Sequence, residues 1–201
     1  MNRTVPFVAL ALLTASALGA VLPSVHLLHP RDDSADVRFL RDMSAHHAQA
    51  VDMSMLLVKR SSDPKVRLLA QDIALTQQAQ IGQMTGWLTA WGVTVSGSTP
   101  PMKGMDRAAM GLASAEALTT LERLDGSVAE ERYLTLMRRH HLGGIAMAKS
   151  ALNTLRSPLT RSMANRIITS QTAEVRTIDA MLGRQAAPNT PAAPMTDMSH
   201  E

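Results

Sequence analysis

The chain repeats itself. Displaced by 94 residues along its own length, the sequence matches without a gap: Phe39 falls on Tyr133, Met43 on Met137, His46 on His140, His47 on His141 and Met53 on Met147. The register continues through Pro64 and Pro158, Ala70 and Ala164, Ile73 and Ile167, and Gln77 and Gln171, with Gln80 falling on Glu174 as a near match. An unbroken register over roughly 50 residues marks a duplication, and a duplicated unit too small to bury its own apolar face must bury it against its copy.

Each copy reads as a helical hairpin. Phe39, Met43, His46, Ala50, Met53 and Leu57 recur at alternating steps of four and three, one face of a helix. Ser61-Ser62-Asp63-Pro64 breaks it and starts another, with Asp63 as N-cap and Pro64 at the first helical position. The second helix carries Val66, Leu69, Ile73, Gln77, Gln80, Met84 and Trp87 on one face and stops near Gly92. In the second copy, Ser127 and Glu130 have the spacing of a capping box; the chain then runs through Tyr133 to Leu155, turns at Ser157-Pro158 and ends near Gly183. No segment alternates as a strand. Helices of about 27 residues would each be about 40 Å long. The expected fold is all-α: a four-helix bundle of two repeated hairpins, residues 33–92 and 127–184. Residues 93–126, a Gly/Pro/Ser/Met linker with a short helix around 114–124, must cross the length of the bundle.

The ends have other assignments. Arg3, the apolar run from Val5 to Leu22 and Ala15-Ser16-Ala17 match a secretory signal peptide, so residues 1–20 are read as a cleaved signal or an uncleaved membrane anchor. Both place the remainder outside the cytoplasm, whether periplasmic, bound to the cell envelope or secreted. Residues 185–201, rich in Pro and Ala, should be disordered. The absence of cysteine excludes disulfides, thiolate zinc sites, iron–sulfur clusters and thiol catalysis. Aromatic residues make up 2% of the chain and the net charge is a diffuse +3, so no nucleic-acid partner is expected.

What stands out is 14 methionines and two adjacent histidine pairs. On a helix Met43 shares a face with His46 and His47, and Met53 lies two turns further on. Folding the hairpin at Ser62 puts Gln77 beside His47, and Gln80 to Met84 beside Met43. The same fold in copy two puts Gln171 and Glu174 near His140, His141 and Met137. Each hairpin should gather two imidazoles, a thioether and an amide or carboxylate in its own layer. Imidazole with thioether is a soft-to-borderline donor set that suits copper, Cu(I) through sulfur and Cu(II) through nitrogen. Zinc would want thiolate or more carboxylate, and calcium or magnesium an oxygen cage. Methionine is also ordinary core filler, and the spacing of Met53, Met84, Met147 and Met163 fits packing as well as ligation. Only one histidine of each pair needs to face inward: His46 and His140 lie on the apolar stripe, His47 and His141 at its edge. Looser methionine clusters occur at Met102, Met105 and Met110 and at Met195, Met198 and His200, in segments expected to be flexible. Arg138-Arg139 reads as a solvated face.

These motifs, Phe39-x-x-x-Met43-x-x-His46-His47-x-x-Ala50-x-x-Met53 and Tyr133-x-x-x-Met137-x-x-His140-His141 with Ala146-Met147, resemble the domain of unknown function 305 family. Ala70 to Gln77 and Ala164 to Gln171 resemble its second helix. The resemblance implies a ferritin-like four-helix bundle, exported or membrane-anchored, with copper-binding members linked to copper resistance. It points at Met43, His46, His47, Met53, Met137, His140, His141 and Met147 as ligands, with Gln77, Gln80, Gln171 and Glu174 around them. The chain departs from the family where Gln80 replaces an acidic residue such as Glu174, so the two sites should differ in strength. Gly143-Gly144 should loosen the second histidine helix by about 1 kcal/mol per glycine.

Three functions follow. The favoured one is an envelope protein that buffers, carries or sequesters copper, non-enzymatic, with a metal ion as partner and self-association left open. A metal-free interaction module, with Trp87 and Trp91 as a contact surface, is the alternative. A copper-dependent oxidase ranks third; a di-iron carboxylate site is excluded because neither histidine pair has a glutamate three residues before it.

Overall fold

A computed structural model of the chain describes residues 29–183. The signal or anchor at 1–20 and the tail with Met195, Met198 and His200 lie outside the described residues. Among these, five helices and no strands occur: α1 Ala35–Val58, α2 Pro64–Ala90, α3 Ala115–Glu122, α4 Gly126–Ala151 and α5 Pro158–Met181. No helix among them is long and apolar enough to cross a membrane.

The helix starts follow local chemistry. Ser34 caps α1 by accepting from the Val37 N–H at 3.3 Å, and Asp63 caps α2 from the Lys65 N–H at 2.8 Å, with Pro64 behind it. The capping box expected at Ser127 and Glu130 is not formed. α4 begins at Gly126 after Asp125, and Glu130 reaches across to the other hairpin. Its Oε1 accepts from Ser62 N at 2.7 Å, Asp63 N at 2.8 Å and Ser61 Oγ at 2.9 Å. Asp36, its counterpart in the first repeat, does the reciprocal job: Oδ1 accepts from Ser157 N at 2.9 Å, Arg156 N at 3.2 Å and the Thr160 hydroxyl. Backbone N–H groups in turns wedged between hairpins need acceptors, and a carboxylate from the opposite hairpin serves three donors where a local box would serve one.

α1 packs chiefly against α2, and α4 against α5; the hairpins meet mainly through α1 and α4. The interior has two apolar clusters. One holds Ala50, Met53, Leu57, Ile73, Tyr133, Leu134, Met137 and Ile178; the other holds Phe39, Leu40, Met43, Ile73's counterpart Ile167, Met84, Met147 and Met163. Residues related by the repeat therefore sit in opposite clusters, as Met43 and Met137, Met53 and Met147, or Leu40 and Leu134 do. That exchange defines a pseudo-twofold axis through the middle of the bundle, between the clusters.

The linker runs beside α1. Buried Arg41 donates to the carbonyl of Thr94, Met102 N donates to Asp42 Oδ1 at 2.6 Å, and Gln49 makes a two-way bond with Ala113 at 2.7 and 2.9 Å. Met102 was expected in flexible chain where burial could not explain it; it is buried, in the second apolar cluster. Gly143 was expected to loosen α4, yet the helix passes through it unbroken. A Cβ there would lie 1.8 Å from the Met110 carbonyl oxygen, so glycine is what lets the linker close on the helix. Arg138, expected on a solvated face, pairs with the buried carboxylate of Asp179.

A candidate metal centre at the pseudo-twofold axis

The polar layer between the two apolar clusters holds His46, His47, His140 and His141, all with no exposed surface, together with buried Gln77 and Gln171. The sequence led to one layer per hairpin. The structure merges them: the rings of His46 and His140, repeat mates, lie 3.8 Å apart between centroids across the pseudo-axis. His47 and His141 flank them at 6.4 and 6.2 Å.

The hairpin register also differs from the expected one. His47 meets Gln80, Nε2 to Oε1 at 2.7 Å, rather than Gln77, and His141 meets Glu174 at the same 2.7 Å. The partner helix is thus set nearly one turn from the expected register. Gln77 and Gln171 remain in the layer, but neither carboxamide finds a hydrogen-bond partner among the described residues.

The histidine bonds share one polarity. His46 Nε2 faces the carbonyl of Met110 at 3.0 Å, and His140 Nε2 faces the backbone carbonyl of His46 at 3.0 Å. A carbonyl or carboxylate oxygen only accepts, so each Nε2 carries the hydrogen and donates. In a neutral ring Nδ1 is then a bare lone pair. All four Nδ1 atoms are buried with no hydrogen-bond partner among the described residues. Burial keeps three of the rings neutral: desolvation pulls His46 down to about 4 and His47 to about 3, and holds His140 well below the usual histidine value. Two imidazolium ions could not stack at 3.8 Å in such surroundings.

Gly144 completes the close fit, because a Cβ on it would lie 2.5 Å from Gln171 Oε1 and 3.2 Å from His46 Cε1. The methionines named from the sequence lie to either side of the layer. Met43 shares its cluster with Met147, and Met137 shares the other with Met53, all nearly or fully buried. Met53 sits seven residues from His46, about 10 Å along the helix. Among the described residues no three His, Cys, Asp or Glu side chains converge as a metal-binding group. What sequence reasoning missed is the Asp36 and Glu130 pair, and its signal was available: they match under the same 94-residue displacement that aligned the histidines.

Comparison with known proteins agrees with this architecture. Residues 36–182 match the profile of the family described as Domain of unknown function (DUF305), and the chain belongs to that family. A crystal structure of a candidate secreted DUF305 protein from Streptomyces coelicolor is 41% identical, with a TM-score of 0.71 over 78% of this chain and 99% of that one. A DUF305 fragment from Deinococcus radiodurans is 36% identical, with a TM-score of 0.67 over 75% and 97%. CopM in its Cu(II)-bound form shares the fold at 24% identity and a TM-score of 0.61, over 75% of this chain and 96% of CopM. An uncharacterized protein of Acanthamoeba polyphaga mimivirus is 40% identical over 53 residues; the match spans 26% of this chain and 35% of that protein.

Proposed function

We propose that this chain is an exported copper-binding protein, one that buffers, carries or sequesters the ion outside the cytoplasm, with the histidine layer as its site. The observation that carries the proposal is the set of four buried imidazoles whose Nε2–H groups are each anchored to an oxygen while every Nδ1 is left bare. Buried polar atoms in native proteins are almost always partnered, and a lone pair on neutral nitrogen wants a proton donor or a metal. A carboxylate or carbonyl on the far nitrogen is also the arrangement that fixes the tautomer of a metal-binding histidine.

Of His46, His47, His140 and His141, two at a time would hold an ion through Nδ1, and Met43 and Met137, one helical turn from His46 and His140, would add thioether sulfur; Met53 and Met147 lie two turns away in the apolar clusters. The donor set favours copper over zinc because it lacks a third converging imidazole, carboxylate or thiolate. CopM, a bundle of the same fold, has been solved with copper in both oxidation states, which supports the choice of ion. The apolar start at Val5 to Leu22 supports export. A purely structural role would account for the Nε2 bonds but leaves the four Nδ1 atoms and two carboxamides unexplained.

Titration of the purified protein with Cu(I), Cu(II) and Zn(II), beside a His46→Ala/His140→Ala variant, tests the proposal. Copper uptake preferred over zinc and reduced in the variant is the expected result. Absence of copper uptake, with the variant changed only in thermal stability, would make the layer a structural device.

A further inference from the structure

A groove of about 710 Å³ opens beside the histidine layer, between the linker, α1 and α4. Three thioethers line it from two separate elements, Met105 and Met110 from the linker and Met147 from α4, with Phe39 of α1 alongside them. Core packing does not account for all of them, because Met105 is 41% exposed and belongs to neither apolar cluster. Met147 is nearly buried yet still forms part of the groove wall, whereas its repeat mate Met53 is wholly enclosed. The groove is also tied to the sealed layer, since the carbonyl of Met110 is the acceptor that holds His46 Nε2–H.

The rim determines which ion could be held there. Arg38 and Lys103 line the groove together with Asp42, the one carboxylate in its lining, and that carboxylate is already engaged by the Met102 N–H at 2.6 Å. A hard divalent cation would meet two positive charges and little free oxygen. A soft monovalent ion loses less to the rim and gains bonds to sulfur that protons do not contest.

We propose that Met105, Met110 and Met147 form a second, thioether site for a soft monovalent cation of the Cu(I) type, open to solvent and separate from the histidine layer. The test uses Ag(I), a redox-stable soft monovalent probe, on the full chain labelled with carbon-13 in the methionine methyl groups and nitrogen-15 in histidine. Silver should move the methyl signals of all three residues together, and Zn(II) should leave them in place. In a Met105→Leu/Met110→Leu variant, close to volume-conserving and so expected to fold, the Met147 methyl should lose its response to silver. Methyl signals that ignore silver in the wild-type protein would overturn the proposal. So would a Met147 response unchanged in the double variant, since each sulfur would then act alone. The histidine signals in the same sample keep the two sites distinct: silver on the imidazoles with silent groove methyls removes this site and leaves the layer standing, and the reverse pattern retains this site while removing the layer.

Discussion

The two hairpins have one architecture and two chemistries. In the first half of the central layer the outer histidine, His47, is held by a neutral carboxamide, Gln80; in the second, His141 is held by the carboxylate of Glu174, at the same 2.7 Å. In the first half Phe39 and Ala148 share an apolar cluster, while in the second their counterparts Tyr133 and Ser54 are joined by a hydrogen bond of 2.8 Å between hydroxyls. The single linker meets the two halves differently, closing on Gly143 of α4 and hydrogen-bonding its counterpart Gln49 of α1 through Ala113. Duplication thus preserved what holds the bundle together, and the copies diverged in what surrounds the imidazoles. A carboxylate behind a ligating imidazole raises its basicity and compensates a bound cation, so the Glu174 half should be the stronger metal position.

The largest effects are expected where the halves are equal. Asp36→Ala and Glu130→Ala each strand two backbone N–H groups in the opposite turn, at about 1–3 kcal/mol per group. Chemical denaturation should show both losing several kcal/mol by similar amounts; a loss in only one would mean the crossing of carboxylates is not a shared device.

Next comes the metal asymmetry. Glu174→Gln should weaken Cu(II) binding by about 10–100-fold, and Gln80→Glu should strengthen it. In the reciprocal double exchange, the histidine whose removal costs most should switch from His141 to His47. Equal affinities in all three variants would erase the distinction between the halves.

Gly143→Ala probes the side the linker covers. The methyl meets the Met110 carbonyl, and displacing it should cost about 1–3 kcal/mol, more than the roughly 1 kcal/mol gained in helix propensity. A net stabilisation in thermal melts would show that the linker does not close there.

Acid should destabilise the metal-free protein. His46, His47 and His140 stay neutral in the fold with values pushed well below 6.5, while in the unfolded chain they take up protons near 6.5. The Asp63 N–H and its neighbours likewise hold Glu130 below its ordinary value. All four groups bind protons more readily when unfolded, so stability is flat above about pH 6.5 and falls as pH drops below it. Denaturant midpoints measured from pH 7.5 to 4.5 check this, and a rise in stability on acidification would contradict neutral, buried rings. The smallest change belongs to the Tyr133 pair. Tyr133→Phe leaves the buried Ser54 hydroxyl unpaired and should cost about 1–2 kcal/mol, whereas adding Ser54→Ala copies the first half and should restore most of it.

Much of this was legible in the sequence. The displacement that superimposes His46-His47 on His140-His141 announced two hairpins, the turns at Asp63-Pro64 and Ser157-Pro158, and the polar residues of the centre. Helical periodicity reports which residues face inward along one element, but carries no information on how far one helix of a hairpin slides against the other. For that reason the expected partner of His47 was Gln77, nearly a turn from Gln80. The merging of two layers into one likewise depends on the pseudo-twofold axis between hairpins, which no spacing within a hairpin contains. The burial of Met102 and the close approach of the linker to Gly143 are not legible in the sequence, because local composition marks a linker without saying what it packs on.

The most direct measurement is nitrogen-15 NMR of the histidine rings, first metal-free and then titrated with Ag(I). In the metal-free protein His46, His47, His140 and His141 should all carry their proton on Nε2, and Nδ1 resonances from both pairs should move when silver is added. Protons found on Nδ1, or Nδ1 resonances indifferent to silver and copper alike, would contradict the proposed site.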